Sequence, residues 1–180
     1  MSQLNVILEE ITQVMDRLDE SQIDKAMTSI RQAKRIFILG EGRSGLQGKG
    51  FAMRLMHLGY MVYVIGESTT PSVQVGDLLV AISGSGTTGV TVNLAKKAKA
   101  AGVYVLGVSS EPNSPLVELS DMALIVPGAT KTGSGVESIQ LLSTLFDQSL
   151  HIALDYLCLR LSQAEGISQV AAHAQHSNME

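Results

Sequence analysis

Apolar residues recur at alternating steps of four and three at Leu4, Leu8, Ile11, Met15 and Leu18, while Glu9, Glu10, Asp16 and Arg17 fall elsewhere. That spacing predicts a helix with one apolar face. After a polar break at Asp19 to Ser21, Ser21 is the expected N-cap of a second helix carrying Ile23, Ala26, Met27 and Ile30. The period then changes. Arg35-Ile36-Phe37-Ile38-Leu39 is a short continuous apolar run ending at Gly40, the pattern of a parallel strand buried on both faces. A helix over Leu46 to Leu58, strands over Met61 to Ile65 and Asp77 to Ile82, a helix over Val90 to Ala101 and a strand over Val103 to Val108 continue the alternation. Ser114-Pro115 opens a helical turn reaching Leu119, Met122 to Val126 reads as a fifth strand, and Gly128 to Gly135 as a loop. The last helix is expected from Glu137 to about Leu161. Its Leu141, Leu142, Leu145, Phe146, Leu150, Ile152, Leu154, Leu157 and Leu159 cover most of the circumference, which predicts burial. One small sheet does not cover that helix and the N-terminal stripe together, so helix packing between copies of the chain is expected.

The alternation predicts an α/β fold. Its expected form is a three-layer α/β/α sandwich around a five-stranded parallel sheet of flavodoxin-like order 2-1-3-4-5, with N-terminal helices. A chain of 180 residues fits a single domain, divided as helices over 1–33, an α/β core over 34–161 and a C-terminal tail over 162–180. Hydrophobic residues at 45% and charged residues at 17% exclude a disordered chain, and a net charge of -4 gives no electrostatic reason to expect nucleic acid. No apolar stretch reaches the ~20 residues of a membrane span, and the start of the chain lacks a signal core, so a cytoplasmic protein is expected. The lone Cys158, in an apolar helical pattern, reads as an inert packed thiol.

The chemistry gathers at two glycine segments. Ser83-Gly84-Ser85-Gly86-Thr87-Thr88 follows a strand and precedes a helix. Its glycines allow close backbone approach, its hydroxyls donate hydrogen bonds, and the following helix start offers free N–H groups, which together suit a phosphate ester. Gly40-Glu41-Gly42-Arg43-Ser44-Gly45 fits the GxGxxG pattern, and Glu67 follows the second strand where a ribose-binding acid would stand. A nicotinamide-dependent oxidoreductase is one reading of that pattern. Against it stand the second hydroxyl-rich loop, Arg43 inside the first, and no chain left for a catalytic domain. In the expected strand order both segments border one crevice at the carboxyl ends of strands one and three. Ser83, Ser85, Thr87 and Thr88 then hold a phosphate, while Ser44 and the backbone at Gly42 address the sugar.

These residues resemble the sugar isomerase (SIS) domains, and within them the 6-phospho-3-hexuloisomerases. The likeness runs through Gly42-Arg43-Ser44-Gly45, Phe51-Ala52-Met53-Arg54-Leu55-Met56-His57, Gly66-Glu67, Thr70-Pro71 and Gly76-Asp77-Leu78. It continues through Ser83-Gly84-Ser85-Gly86, Pro127-Gly128, Ser138-Ile139-Gln140, Leu145-Phe146 and the closing His176-Ser177-Asn178-Met179-Glu180. The resemblance implies interconversion of D-arabino-3-hexulose 6-phosphate and fructose 6-phosphate, in formaldehyde fixation through the ribulose monophosphate route, by a homotetramer without metal or cofactor. It also implies a substrate site of Gly42, Arg43, Ser44, Ser83, Gly84, Ser85, Gly86, Thr87, Thr88 and Glu67.

Moving a carbonyl from C3 to C2 passes through an enediol(ate), and one carboxylate can make both proton transfers. The family places a glutamate in a Leu-Phe-Glu-Gln segment for this task; the matching residue here is Asp147, one methylene and about 1.5 Å shorter. The preceding Leu141-Leu142-Ser143-Thr144 stands where the family shows Pro-Met-Gly-Ser, and Thr87 replaces a glutamate of the cradle. The resemblance gives His176 a catalytic role, delivered to a neighbouring subunit for ring opening of fructose 6-phosphate or polarisation of a carbonyl. His151, four residues after Asp147, is placed either to tune it or to pack, and His57 to pack. Two alternatives stay open: a sugar-phosphate-binding SIS module without catalysis, motivated by the altered surroundings of Asp147, and an isomerase of another sugar phosphate such as arabinose 5-phosphate.

Overall fold

The computed structural model describes residues 2–131 and 135–179; Met1, Thr132, Gly133 and Ser134 of the expected loop, and Glu180 of the closing motif lie outside the described residues. The elements are α1 (Gln3–Met15), α2 (Glu20–Gln32), β1 (Ile36–Gly40), α3 (Gly42–His57), β2 (Val62–Val64), β3 (Leu78–Ile82) and α4 (Gly89–Ala100). They continue as β4 (Tyr104–Ser109), α5 (Pro115–Leu119), β5 (Met122–Ile125), α6 (Thr144–Glu165) and α7 (Gln169–Ala174). The five strands are all parallel, in the order β2-β1-β3-β4-β5. This is the α/β architecture and strand order that the alternation predicts.

Successive strand residues feed two separate cores, as the period of two requires. Ile36, Ile38, Leu78, Val80, Ile82, Leu106 and Val108 face α2, α3 and α6. Phe37, Leu39, Leu79, Ala81 and Val105 face α4 and α5. The central strands β1 and β3 are buried on both faces, and the edge strand β2 is half-buried.

Several expected boundaries move for identifiable reasons. Asp19, not Ser21, caps α2, because its carboxylate accepts the Ser21 N–H at 2.9 Å. The expected helix from Glu137 starts only at Thr144. Leu142 holds φ at 59°, a left-handed conformation that interrupts a right-handed helix, and the Ile139 N–H is taken by Glu10 instead of a helical carbonyl. The helix also runs past Leu161 to Glu165, where Gly166 at φ 64° ends it, and the expected tail contains α7. On α1, Val14 is buried, but Leu4 and Leu8 are exposed. On α6, Ile152 and Leu159 are exposed as well, so that helix is not buried all round. Cys158 is buried, and burial pushes its thiol up to about 12, which keeps it a neutral, unreactive thiol.

Candidate active site

Because β1 and β3 are neighbours whose chains leave to opposite faces, α3 and α4 begin on either side of the same point at the carboxyl edge of the sheet. The first glycine segment is less a loop than a helix start: α3 begins at Gly42, with φ 56°, so Arg43 and Ser44 stand on its first turn. Gly45 permits this. A Cβ on it would lie 2.5 Å from the Gly40 carbonyl oxygen, so only glycine lets the first turn of α3 rest directly on the end of β1. The free N–H groups of α3 therefore open where the strand stops.

The second segment is held from below by β4. The Ser83 N–H donates to the Val108 carbonyl at 3.0 Å, and the Ser110 N–H and Ser109 Oγ donate to the Gly84 carbonyl at 3.0 and 3.1 Å. Ser83, nearly fully buried, pairs its hydroxyl with that of Thr88 at 2.9 Å, and Ser85 pairs with Thr87 at 2.9 Å. Gly86 holds φ at 64° and its N–H donates to the Ser83 carbonyl, closing the turn that leads into α4. All four predicted hydroxyls thus lie in one compact loop.

Asp147 joins the two segments. It sits in the first turn of α6 and is only 1% exposed. Ser44 Oγ donates to its Oδ1 at 3.3 Å, and Arg43 Nε lies 3.4 Å from its Oδ2. On the other side, the ring of the preceding residue, Phe146, lies so close to Gly84 that a Cβ there would stand 2.9 Å from Cδ1. Burial pushes the Asp147 carboxyl above its ordinary value; the Arg43 guanidinium, the Ser44 hydroxyl and the Lys131 charge pull it partly back. The result is a carboxylate whose proton affinity is raised toward that of a general base, yet which faces a cation and a hydroxyl.

Other predicted residues stand elsewhere in the chain. Glu67 pairs with Lys49 of α3 at 2.6 Å, both exposed, and not with either glycine segment. His176 stacks on His57 at 5.2 Å between ring centroids, with His173 at 6.4 Å, beside a cavity of about 440 Å³ between α3, α6 and α7. His57 is at the opposite end of α3 from Ser44, about 20 Å away along the helix axis. His176 is therefore remote from the Asp147 of its own chain. His151 pairs with Asp155 at 3.5 Å, not with Asp147.

Two site residues escape the sequence reading. Thr144 accepts from Arg43 Nη1 at 2.9 Å and donates to the Leu141 carbonyl at 2.8 Å, so it holds the guanidinium beside Asp147. Lys131 supplies a second positive charge to that carboxylate. The available signal for Lys131 is a cation in an otherwise small and polar loop; for Thr144 there is none, because its role depends on a contact 101 residues away in sequence.

The sequence profile of the family described as the SIS domain matches residues 29–152. A 3-hexulose-6-phosphate isomerase from Mycobacterium gastri is 36% identical, over 98% of this chain and 89% of its own length. Another, from Bacillus subtilis, is 34% identical over 97% of this chain and 95% of its own. A hypothetical protein from Methanococcus jannaschii, whose crystal structure is described as inferring a molecular function of 3-hexulose-6-phosphate isomerase, superposes with a TM-score of 0.88. It is 32% identical, with 100% of both chains covered.

Proposed function

The chain belongs to the SIS domain family, and we propose that it is an isomerase interconverting D-arabino-3-hexulose 6-phosphate and fructose 6-phosphate. The observation that carries this reading is the meeting of a buried carboxylate, Asp147, with Arg43 and Ser44 on one side and, through Phe146 and Gly84, the hydroxyl loop on the other. The similarity of the chain to isomerases of this name along nearly its full length supports the choice of substrate.

Ser83, Gly84, Ser85, Gly86, Thr87, Thr88 and the start of α4 hold the phosphate. Asp147 removes the proton from C2, and the electron pair of that bond moves into a C2–C3 double bond as the C3 carbonyl becomes an oxyanion. Arg43, Ser44 and the N–H groups at Gly42 stabilise the developing enediolate. The proton of the C2 hydroxyl passes to the C3 oxyanion, the C2 carbonyl forms as the electron pair of the double bond takes up, at C3, the proton held by Asp147, and the carboxylate is regenerated. The 3-keto substrate is mostly acyclic, because O6 is esterified and O5 would close only a four-membered ring, so ring opening matters mainly for fructose 6-phosphate. His176, remote from its own crevice, serves a neighbouring subunit in that step. Exposed Leu4, Leu8, Leu46, Met53, Ile152 and Leu159 support assembly, which we take to be a tetramer. Glu67 binds a substrate hydroxyl or braces the assembly through Lys49. Among the described residues no helix is long and apolar enough to cross a membrane; a cytoplasmic place in the ribulose monophosphate route is the setting that suits this substrate.

The short side chain of Asp147 favours a second reading, a sugar-phosphate sensor without turnover. One assay separates the two: supply D-arabino-3-hexulose 6-phosphate, couple fructose 6-phosphate formation to NADPH production, and compare the parent with Asp147→Asn and Asp147→Glu. The parent turns over, Asp147→Asn loses ~100- to 10,000-fold, as expected for a lost general base, and Asp147→Glu stays active. Binding without turnover in the parent leaves the sensor reading, and full activity in Asp147→Asn removes Asp147 as the base.

A further inference from the structure

Between the Gly128–Gly135 loop and α6 the chain passes through residues 137–143, which are neither helix nor strand. This segment decides where the first turn of α6, and with it Asp147, stands. It also carries the left-handed Leu142, a conformation a leucine keeps only when its surroundings hold it. One side chain on a distant helix does much of the holding. Glu10 of α1 is only 7% exposed, and no cation is paired with it among the described residues. Its Oε2 accepts the Ser138 hydroxyl at 2.6 Å and its Oε1 accepts the Ile139 N–H at 2.8 Å. The Ser138 oxygen in turn accepts the Gln140 N–H at 3.0 Å. The Gln140 and Gln148 side-chain amides then exchange two hydrogen bonds, at 2.9 and 3.1 Å. Gln148 is the residue after Asp147.

A buried carboxylate without a counter-charge is costly unless its hydrogen bonds are satisfied, and bonds to an ionised acceptor are among the stronger ones. Both Glu10 oxygens are spent on the same segment. Glu10 lies on the face of α1 that carries Val14 and Ile11 into the core, so the anchor itself is fixed. The polar chain therefore runs from a rigid helix to the turn bearing the proposed base. We propose that Glu10 is a positioning residue for the isomerase reaction: through Ser138, Gln140 and Gln148 it sets the first turn of α6 so that Asp147 meets the substrate carbon. It touches neither the substrate nor the Ser83–Thr88 loop.

The inference rests on the isomerase reading, so its test has one arm that needs turnover and one that does not. In the coupled assay, Glu10→Ala lowers kcat ~10- to 100-fold, the cost of a misplacement near 1 Å, while KM changes less than about threefold because the phosphate loop is untouched. Glu10→Gln, which keeps an acceptor for the Ile139 N–H, restores kcat to within about threefold of the parent. A loss of thermal stability in Glu10→Ala with parental kcat, or a rise in KM with kcat unchanged, overturns the proposal. Should Glu10→Ala fail to fold, Ser138→Ala and Gln140→Ala break the same chain at half-buried positions and are expected to lower kcat in the same way; parental kcat in both overturns it. The second arm is amide hydrogen exchange. Exchange in Glu10→Ala, or in those two variants, rises over residues 139–148 and is unchanged over residues 83–88. Unchanged exchange over 139–148 overturns the latch even if the protein turns over no hexulose phosphate. Faster exchange there in the variants, with no turnover by the parent, would instead count against the substrate assignment and leave the latch standing.

Discussion

Gly84→Ala tests whether the proposed phosphate loop and the proposed base are mechanically coupled. Gly84 is not in the left-handed region, so alanine meets no backbone penalty there, and the whole effect comes from one methyl group. That methyl would stand 2.9 Å from Cδ1 and 3.1 Å from Cε1 of Phe146, where ordinary contact begins near 3.4 Å. The ring must retreat by roughly half an ångström, an overpacking that costs ~1–3 kcal/mol in a well-packed core. Phe146 has little room to yield, because it is fully buried and its backbone lies against Gly128, where a Cβ would be 2.8 Å from Phe146 Cα. The displacement therefore passes to the backbone of Asp147. A fall in Tm of ~3–10 °C is expected for a chain of this size. The coupled isomerase assay should show kcat reduced ~10- to 100-fold. Phe146→Leu opens space at the same spot, so the double variant should be more stable than the sum of the two single losses by ~1 kcal/mol. Parental Tm and kcat in Gly84→Ala, or strict additivity in the double variant, would refute the coupling.

Arg43→Gln removes the cation that holds the Asp147 carboxyl down, so its proton affinity rises further; the acidic limb of the kcat/KM profile should move to higher pH, and an unmoved limb would separate Arg43 from the base. Asp147→Asn bears on stability. The folded state raises this carboxyl above its ordinary 3.8, so the group contributes stability that is present below 3.8 and lost as pH rises through the raised value. Asp147→Asn should accordingly be more stable than the parent to urea at pH 7, by a margin that shrinks toward pH 4; a margin that grows in acid would contradict the burial argument. Leu142→Gly relieves the left-handed strain at φ 59° in an exposed side chain and should raise Tm by ~2–4 °C, whereas a lower Tm would show that the leucine is held by packing.

The fold was readable because its signals are local. Continuous apolar runs such as Ile36 to Leu39 and Leu78 to Ile82 mark strands with no solvated face, and their alternation with helical periods leaves few parallel topologies. The two glycine segments were readable in part: their place at the ends of β1 and β3 follows from the local pattern, but that the first one opens α3 at Gly42, with Gly45 against the Gly40 carbonyl, does not. The start of α6 was not. Leu141 and Leu142 continue an apolar helical pattern, and only Glu10, more than a hundred residues away, and the left-handed Leu142 reveal that the helix begins later.

Residue chemistry along the chain therefore shows which groups are available for the proposed phosphate binding and proton transfer: hydroxyls at 83–88, a cation at Arg43 and a carboxylate at Asp147. It does not settle which of them meet. Arg43 and Ser44 lie more than a hundred positions before Asp147, and their contact, like the burial that raises its proton affinity, exists only once the sheet and α6 have packed. The same packing stacked His176 on His57 and paired Glu67 with Lys49. Hydrophobic period is written in neighbouring residues; burial, ion pairing and the placement of the first turn of α6 are sums over distant ones, and those sums have values only in three dimensions.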